Sequence, residues 1–265
     1  MENRELNVLT LNRQAWDIQS SQGDSDWVQP VSSTEINAAR KGDWSVILTP
    51  VTPVPREWFG DIKGKSLLGL ASGGGQQVPI FAAAGAEVTS FDNSSVQLGK
   101  DQEVAEREGL DISIEQGDMA DLSRFPDGAF DIIFHPVSNV FAPNIRIVWE
   151  ECARVLKPGG RLLAGFMNPD FFLFDHENLR ADSPIEVRYA LPYSDLDSLS
   201  ETTLKQRIEG GEAIEFSHSL DDQIGGQIAA GFMIAGFYED RWSDEATPLN
   251  RYMPTSIATL GIKRA

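Results

Sequence analysis

A glycine-rich loop followed by an aspartate is the strongest chemical signal in this sequence. Residues 67–77, LLGLASGGGQQ, run from an apolar stretch into three consecutive glycines. Glycine lets the backbone turn sharply and lets a ligand approach the main chain closely. Asp92 follows seventeen residues after Gly75, and a carboxylate at that place can accept hydrogen bonds from both hydroxyls of a ribose. Together these features predict a site for a ligand that contains a nucleoside. The alternative is that the glycines only make a tight turn and that Asp92 only caps the next helix.

Two further segments carry polar side chains that could act on the same ligand. In the first, Asp118 could accept a hydrogen bond from an adenine amino group, and Met119 could pack on the ring. In the second, the run FHPVSN, His135 could contact a cofactor or act as a catalytic base. The alternative for His135 is a hydrogen bond to the backbone of its own loop. Ser138 and Asn139 could contact either the cofactor or the substrate.

The elements that must position these residues alternate between strand and helix. Apolar runs bounded by glycine, proline or polar residues predict strands over 66–71, 87–91, 112–116, 130–134 and 161–166. Helices are predicted over 77–84, from 93 or 94 to 108, and over 144–156, with residues 157–160, KPGG, ending the last one. Such alternation predicts parallel strands joined by right-handed helical crossovers, that is, a doubly wound α/β fold. Two late strands, 232–238 and 255–263, are close in sequence and are expected to be antiparallel.

The rest of the chain divides into an N-terminal segment and an insert. Residues 1–62 hold four of the six tryptophans, Trp16, Trp27, Trp44 and Trp58, which could wall a substrate pocket or form a small core. We therefore expect a cap or lid over 1–62 and the main domain over 63–265. Within that domain, residues from about 168 to about 211 mix aromatics, prolines and charges. This stretch is too long for a simple connection and is predicted to be an inserted lid.

Taken together, these motifs resemble the class I S-adenosylmethionine-dependent methyltransferases, of the type 11-like, small-molecule kind. The resemblance covers about residues 65–167, with a weaker match over 217–231. It rests on the glycine loop and on FD at 91–92, GDM at 117–119, FDII at 130–133 and RVLKPGG at 154–160, which occur in the family's order. The resemblance implies a Rossmann-like, seven-stranded, mostly parallel sheet whose last strand is antiparallel. It also implies S-adenosylmethionine as the cofactor and methyl transfer as the reaction.

The resemblance and the loop positions together define a set of expected cofactor contacts. These are Ala71, Ser72, Gly73, Gly74, Gln76, Asp92, Asn93, Asp118, Met119, His135 and Ser138. The sequence departs from the family at two places, since the family usually has an acid where Gly69 stands and glycine where Ala71 stands. Because that acid helps to anchor the methionine end of the cofactor, Gln76 or a residue of the N-terminal segment is expected to replace it. An alanine at 71 is costly only if its φ angle is positive.

Composition and charge narrow the classes of substrate. The net charge is −18, from 40 acidic and 22 basic residues, and such a surface repels the phosphate backbones of nucleic acids. The sequence has one cysteine, Cys152, no apolar run long enough for a bilayer, and a polar start unlike a signal peptide. A cytoplasmic protein with a small-molecule methyl acceptor and no membrane or nucleic-acid partner is therefore expected. Acidic residues such as Asp195 and Asp197 are expected on solvated faces, and the sequence gives no oligomeric state.

Two alternative functions remain open at this level. The first is a non-catalytic protein that binds S-adenosylmethionine or S-adenosylhomocysteine as a sensor. The second is a nicotinamide-dependent oxidoreductase, whose site also combines a glycine loop with an acid on the ribose. That fingerprint needs the spacing G-x-G-x-x-G, and counting from Gly73 puts Val78 at its third glycine. Moreover, no basic residue lies between Lys65 and Lys100 to help bind a pyrophosphate.

Overall fold

A computed structural model describes residues 7–23, 26–176, 178–180, 184–243 and 245–264. Within those residues seven strands form one sheet: β1 (Ser66–Leu70), β2 (Glu87–Asp92), β3 (Ile112–Gln116), β4 (Phe130–His135), β5 (Leu156–Met167), β6 (Phe232–Asp240) and β7 (Ser256–Lys263). The α-helices are α1 (Val8–Gln22), α2 (Ser33–Ala39), α3 (Val78–Ala83), α4 (Ser95–Glu108), α5 (Ile145–Val155), α6 (Asp195–Ser198), α7 (Glu201–Glu209) and α8 (Gly226–Ala229). Residues 1–6, 24 and 25 of the predicted cap, and 177 and 181–183 of the predicted insert, lie outside the described residues.

The sheet has the order β3-β2-β1-β4-β5-β7-β6. Its first five strands are parallel, whereas β7 runs antiparallel to both β5 and β6. The direction of strand succession reverses between β1 and β4. In doubly wound sheets ligands bind at such a switch point, outside the carboxyl ends of the strands. The predicted doubly wound fold and its antiparallel last strand are therefore confirmed.

Apolar side chains cover both faces of the sheet. On one face α2, α3 and α4 pack against β1, β2 and β4 around Ile36, Phe81 and Phe134. On the other face α5 packs through Val148, Trp149 and Cys152, and Cys152 is buried as an ordinary core residue. Residues from the N-terminal segment also enter the first core, among them Val31, Val46, Leu48, Trp58 and Phe59. Residues 31–62 therefore share the core of the main domain, whereas α1 contacts α4 from outside it.

One predicted boundary differs from the structure. The sequence predicts that residues 157–160 only end a helix and that the fifth strand starts at Arg161. In the structure β5 starts at Leu156, directly after α5. Leu156 pairs with Phe130 and Arg161 pairs with Ile132, with an irregular register between the two pairs. Residues 157–160 are thus accommodated as a bulge within the strand pairing, which local glycine and proline signals do not reveal.

Candidate active site

A cavity of about 810 Å³ lies at the carboxyl ends of the central strands. Nine of the predicted cofactor residues line it: Ala71, Ser72, Gly73, Gln76, Asp92, Asn93, Asp118, Met119 and Ser138. We call the lining residues of 71–77, 91–93 and 117–120 the sheet-edge wall. We call those of 8–19, 140–147 and 207–215 the outer wall. The sequence brings the first set to one edge through strand topology, and the second set comes from segments outside the sheet.

Hydrogen bonds from the glycine loop to its neighbours hold the loop in place. The amide of Ala71 donates to the Phe91 carbonyl at 2.7 Å. The amide of Gly73 donates to Asp92 Oδ2 at 3.1 Å, and that of Gly75 donates to Asp101 Oδ1 at 2.8 Å. These amides are used inside the protein and are not available to a phosphate. The loop therefore differs from the anion-binding cradles of dinucleotide sites.

Gly73 is required by close packing in this loop. A Cβ atom at this position would lie 2.8 Å from the Cβ of Gln97 and 3.2 Å from Asp92 Oδ2. Gly74 does not line the cavity, and its amide donates to the Gln97 carbonyl at 3.0 Å. The structure therefore does not place Gly74 among the residues that a ligand in this cavity would contact.

Ala71 adopts a backbone conformation that alanine rarely takes. Its φ angle is +48°, and within the described residues no other non-glycine residue has a positive φ. A left-handed conformation costs an L-residue roughly 1–2 kcal/mol. The departure from the family's glycine is therefore a costly one.

Asp92 at the end of β2 is half-buried and faces the cavity. Besides Gly73, the amide of Ser94 donates to its Oδ1 atom at 2.8 Å. Burial raises the pKa of Asp92 to about 6, although these hydrogen bonds favour the carboxylate and oppose that rise. The carboxylate of Asp17 on α1 also raises it slightly. Asp92 is thus a hydrogen-bond acceptor whose carboxylate is partly shielded from water.

Asp118 and Met119 line the cavity just beyond the end of β3. Asp118 Oδ1 accepts a hydrogen bond from the Ala120 amide at 2.9 Å, which orients the carboxylate in its turn. Gly117 lets this turn lie against the sheet, because a Cβ atom there would be 2.4 Å from the Phe91 ring. The tips of β1, β2 and β3 therefore present their predicted ligand-binding residues to one space.

The structure does not support the prediction that His135 contacts a ligand or acts as a base. Its side chain is fully buried and does not line the cavity. Its Nδ1 atom lies 2.9 Å from the Leu70 carbonyl, to which it can donate, and its ring meets the edge of Trp149. Burial lowers the pKa of His135 to about 4. Pro136, Val137 and Ser138 of the following loop do line the cavity, and the Ser138 hydroxyl donates to the Pro136 carbonyl at 2.9 Å.

The structure also explains the missing acid at Gly69. A Cβ atom at this position would lie 2.6 Å from a methyl group of Val78 and 2.7 Å from the hydroxyl of Ser72. The space that the family's acid would need is therefore filled by these two side chains. Gln76 lines the cavity nearby, as expected.

Helix α1 forms part of the outer wall, and nothing in the sequence singled out its anchoring residue, Asn12. The amide group of Asn12 is buried and donates to the carbonyls of Phe141 at 3.2 Å and Ile214 at 3.0 Å. Its Oδ1 accepts from the Ile214 amide at 2.7 Å. Trp16 packs edge-on against Phe141, with ring centroids 5.4 Å apart. Trp16 and Trp27 line the cavity, whereas Trp44 and Trp58 pack against the core.

The outer wall also contains charged residues from the predicted insert and its end. Arg207, Glu212 and Glu215 line the cavity. Arg207 pairs with Glu212 at 2.9 Å and with Asp195 at 3.1 Å. The prediction of a solvated Asp195 is wrong, because this side chain is fully buried and accepts hydrogen bonds from the Tyr193 hydroxyl and the Glu215 amide. The sequence analysis also missed Glu215, although an acid between the apolar residues Ile214 and Phe216 could have indicated a carboxylate next to buried positions.

Comparisons with known proteins identify the family. A family model described as a methyltransferase domain matches residues 68–164. The uncharacterized methyltransferase YbaJ of Bacillus subtilis (strain 168) is 48% identical over 259 residues, covering 97% of this chain and 100% of that protein. The chain therefore belongs to the methyltransferase family, and the predicted resemblance is confirmed.

Solved structures share the fold at low sequence identity. A Listeria monocytogenes protein solved as a candidate S-adenosylmethionine-dependent methyltransferase superimposes with a TM-score of 0.62 at 16% identity, covering 79% of this chain and 96% of that one. An S-adenosylmethionine-dependent methyltransferase from Mesorhizobium loti gives 0.59 at 17% identity, covering 78% and 95%. No helix in the part of the chain described above is long and apolar enough to span a bilayer.

Proposed function

We propose that this chain transfers a methyl group from S-adenosylmethionine to a small organic molecule, and that both molecules bind in the cavity described above. One observation carries this proposal. Three strand tips deliver Gly73, Asp92 and Asp118 to a single cavity at the switch point of the sheet.

Two buried polar atoms support the fit of a polar cofactor. Ser72 Oγ and Gln97 Oε1 belong to cavity-lining residues that are only 8% and 5% exposed. No described residue forms a hydrogen bond with either atom. A buried polar group without a partner costs about 1–3 kcal/mol, so a bound ligand that donates to these atoms would recover that energy.

The donors and acceptors match the parts of the cofactor. Asp92 would accept hydrogen bonds from the two ribose hydroxyls, and Asp118 would accept one from the adenine amino group, with Met119 against the ring. Ser72 Oγ lies beside Gly69, where the family's acid would stand, and Gln97 Oε1 lies beside Gly74 of the same loop. We assign them, with Gln76, to the amino group of the methionine end.

The chain's own residues must align the methyl acceptor and exclude water. When bound, S-adenosylmethionine supplies a methyl group that its positively charged sulfur activates. Displacement of that methyl group depends mainly on the alignment of the acceptor and on a dry site. Helix α1, which Asn12 fastens to the segments around 141 and 214, covers the cavity together with Trp16 and Phe141. We therefore assign α1 and the insert as the lid.

The cavity volume and the charge of the protein support a small acceptor. A volume of about 810 Å³ falls in the range of roughly 300–1,000 Å³ that is common for small-ligand sites. The net charge of −18 opposes the approach of a phosphate backbone.

Calorimetry with S-adenosylmethionine and S-adenosylhomocysteine tests the cofactor assignment. Asp92→Ala removes the ribose acceptor and the bonds to Gly73 and Ser94. We expect affinity to fall by about 100-fold, because hydrogen bonds to charged groups contribute roughly 1.5–3 kcal/mol each. Asp111→Ala, at an exposed position outside the cavity, is the matched control and should bind as the native chain does. Absence of a binding heat in the native chain would refute the proposal.

A further inference from the structure

Among the described residues, Glu215 is the one charged residue of the outer wall whose side chain forms no hydrogen bond and no ion pair within 4 Å, although the charge of Arg207 acts on it from farther away. Arg207 is paired with Glu212 and Asp195, as shown above. The side chain of Glu215 lines the cavity, yet no described residue donates a hydrogen bond to it. Its backbone alone is engaged, through bonds in both directions with Asp195 of 2.9 and 3.1 Å.

Hydrogen bonds of the two adjacent residues, Ile214 and Phe216, determine the direction of the Glu215 side chain. Ile214 before it is fastened to Asn12 of α1. The Phe216 amide after it donates to the Val140 carbonyl at 2.8 Å, in the loop that follows β4. Ile214 and Phe216 are buried, so the extended segment turns the intervening side chain to the opposite side, toward the cavity. Glu215 is therefore a positioned carboxylate beside the loop that carries Ser138.

The charge of Glu215 is only partly balanced, because three carboxylates share one guanidinium here. Asp195, Glu212 and Glu215 lie around the single guanidinium of Arg207 in this part of the described chain. Burial, together with the charge of Asp195, raises the pKa of Glu215 to about 7, although the charge of Arg207 opposes that rise. A cation placed beside Glu215 would stabilise its ionised form.

The surroundings of Glu215 suit a cation with an apolar body. Trp16, Phe141, Phe171 and Phe172 line the same cavity. Aromatic faces attract ammonium groups, and their apolar area binds hydrocarbon. An uncharged polar ligand would gain the burial of its hydrocarbon and would not gain the attraction between a cation and the aromatic faces.

We propose that Glu215 binds a cationic amino group of the methyl acceptor, so that this methyltransferase acts on a substrate that carries an ammonium group on an apolar body. Because a protonated nitrogen has no lone pair, the ammonium is a binding group and another atom of the acceptor takes the methyl group. This assignment rests on the proposed function, since it takes the cavity as the place where the acceptor binds. Glu215 would be a specificity-determining residue that holds the acceptor across from the glycine loop.

A matched pair of ligands tests the assignment without turnover. Cyclohexylmethylamine and cyclohexylmethanol have the same apolar body and differ in charge at about pH 8. Each is titrated into the full chain saturated with S-adenosylhomocysteine, and binding is followed by tryptophan fluorescence, since Trp16 lines the cavity. Variants Glu215→Gln and Glu209→Gln are compared. Both remove one negative charge, but Glu209 is exposed and pairs with Lys205 outside the cavity.

The expected result is that the native chain and Glu209→Gln bind the amine at least about tenfold more tightly than the alcohol. Glu215→Gln should lose most of that preference and keep only what the aromatic side chains contribute. Equal binding of the two ligands by the native chain would overturn the assignment. An undiminished amine preference in Glu215→Gln would also overturn it, because the preference would then come from the aromatic side chains or the overall charge.

Cofactor binding separates this inference from the function on which it rests. We expect Glu215→Gln to bind S-adenosylhomocysteine as the native chain does, which shows that the variant is folded. If the native chain binds no S-adenosylhomocysteine, the proposed function fails. In that case the affinities of the amine and the alcohol are compared in the absence of S-adenosylhomocysteine, and their ratio still tests whether Glu215 binds a cation.

Discussion

The two walls of the cavity are built in different ways. The sheet-edge wall comes from one stretch, residues 71–120, whose backbone is held by neighbouring strands and by α4. The outer wall joins α1 to residues about 130 and 200 positions away, through the hydrogen bonds of Asn12 and the packing of Trp16 on Phe141. The first wall therefore follows from strand topology, and the second depends on a few long-range polar contacts. Substitutions in the outer wall should therefore affect the closure of the cavity over the substrate more than they affect cofactor binding.

Asn12→Ala should have the largest effect. It leaves the Ile214 amide and the carbonyls of Ile214 and Phe141 without their partner. We expect the free energy of unfolding to fall by roughly 2–4 kcal/mol, because each unsatisfied buried group costs about 1–3 kcal/mol. Urea denaturation measures this, and hydrogen exchange should show increased opening of residues 8–22 and 212–216.

The exposed Asn37→Ala on α2 is the control and should be nearly neutral. The comparison between the walls predicts that Asn12→Ala weakens S-adenosylhomocysteine binding far less than Asp92→Ala does. Equal losses in the two variants would show that the walls are not independent.

Gly69→Asp restores the family's acid at the base of the sheet-edge wall. Its Cβ atom would lie 2.6 Å from Val78 and 2.7 Å from Ser72. Overpacking of this kind costs typically about 1–3 kcal/mol, so we expect lower stability and no gain in cofactor affinity. Gly99→Asp, where nothing lies within 4 Å of the added Cβ, is the control. Tighter S-adenosylmethionine binding by Gly69→Asp would show that Ser72 and Gln97 do not replace the acid.

The pH dependence of cofactor binding should report on Asp92. Protonation removes the charge of the carboxylate that accepts the ribose hydroxyls, so affinity should fall as pH drops through about 6, the pKa to which burial raises this group. Because one proton is involved, the loss should approach about tenfold per pH unit below that value. Burial also raises the pKa of Asp101, which binds the Gly75 amide, to about 7. Calorimetry from pH 5 to pH 8 measures the affinity for S-adenosylhomocysteine. An affinity that does not change over this range would contradict the role of Asp92.

Ala71→Gly should have the smallest effect. Glycine relieves the strain of the +48° φ angle but increases the entropy of the unfolded chain, which costs about 0.4–1 kcal/mol. We expect a net gain in stability of about 0.5 kcal/mol by thermal unfolding. Ala120→Gly, a change without that relief, should lower stability. A loss in Ala71→Gly equal to that in Ala120→Gly would show that residue 71 is unstrained.

Local patterns were sufficient for most of the fold. The strands at 66–70, 112–116 and 130–135 agree with prediction to within one residue, because apolar runs bounded by glycine or polar residues indicate strands. The start of β5 was missed because a bulge depends on the pairing of two strands. His135 shows the same limit within the site. Its position after a strand was predicted, but the direction of its side chain is set by its neighbours Leu70 and Trp149.

By itself the sequence determined the family, the doubly wound sheet and the loops that form the sheet-edge wall. These follow from patterns of a few residues repeated at regular spacing, and strand topology then brings the loops together. Only the tertiary structure decided which buried polar atoms lack partners, that Asp195 is buried, and that Asn12 and Glu215 form the outer wall. Such contacts join residues far apart in the chain, and their energies depend on burial and charge, which no local pattern encodes.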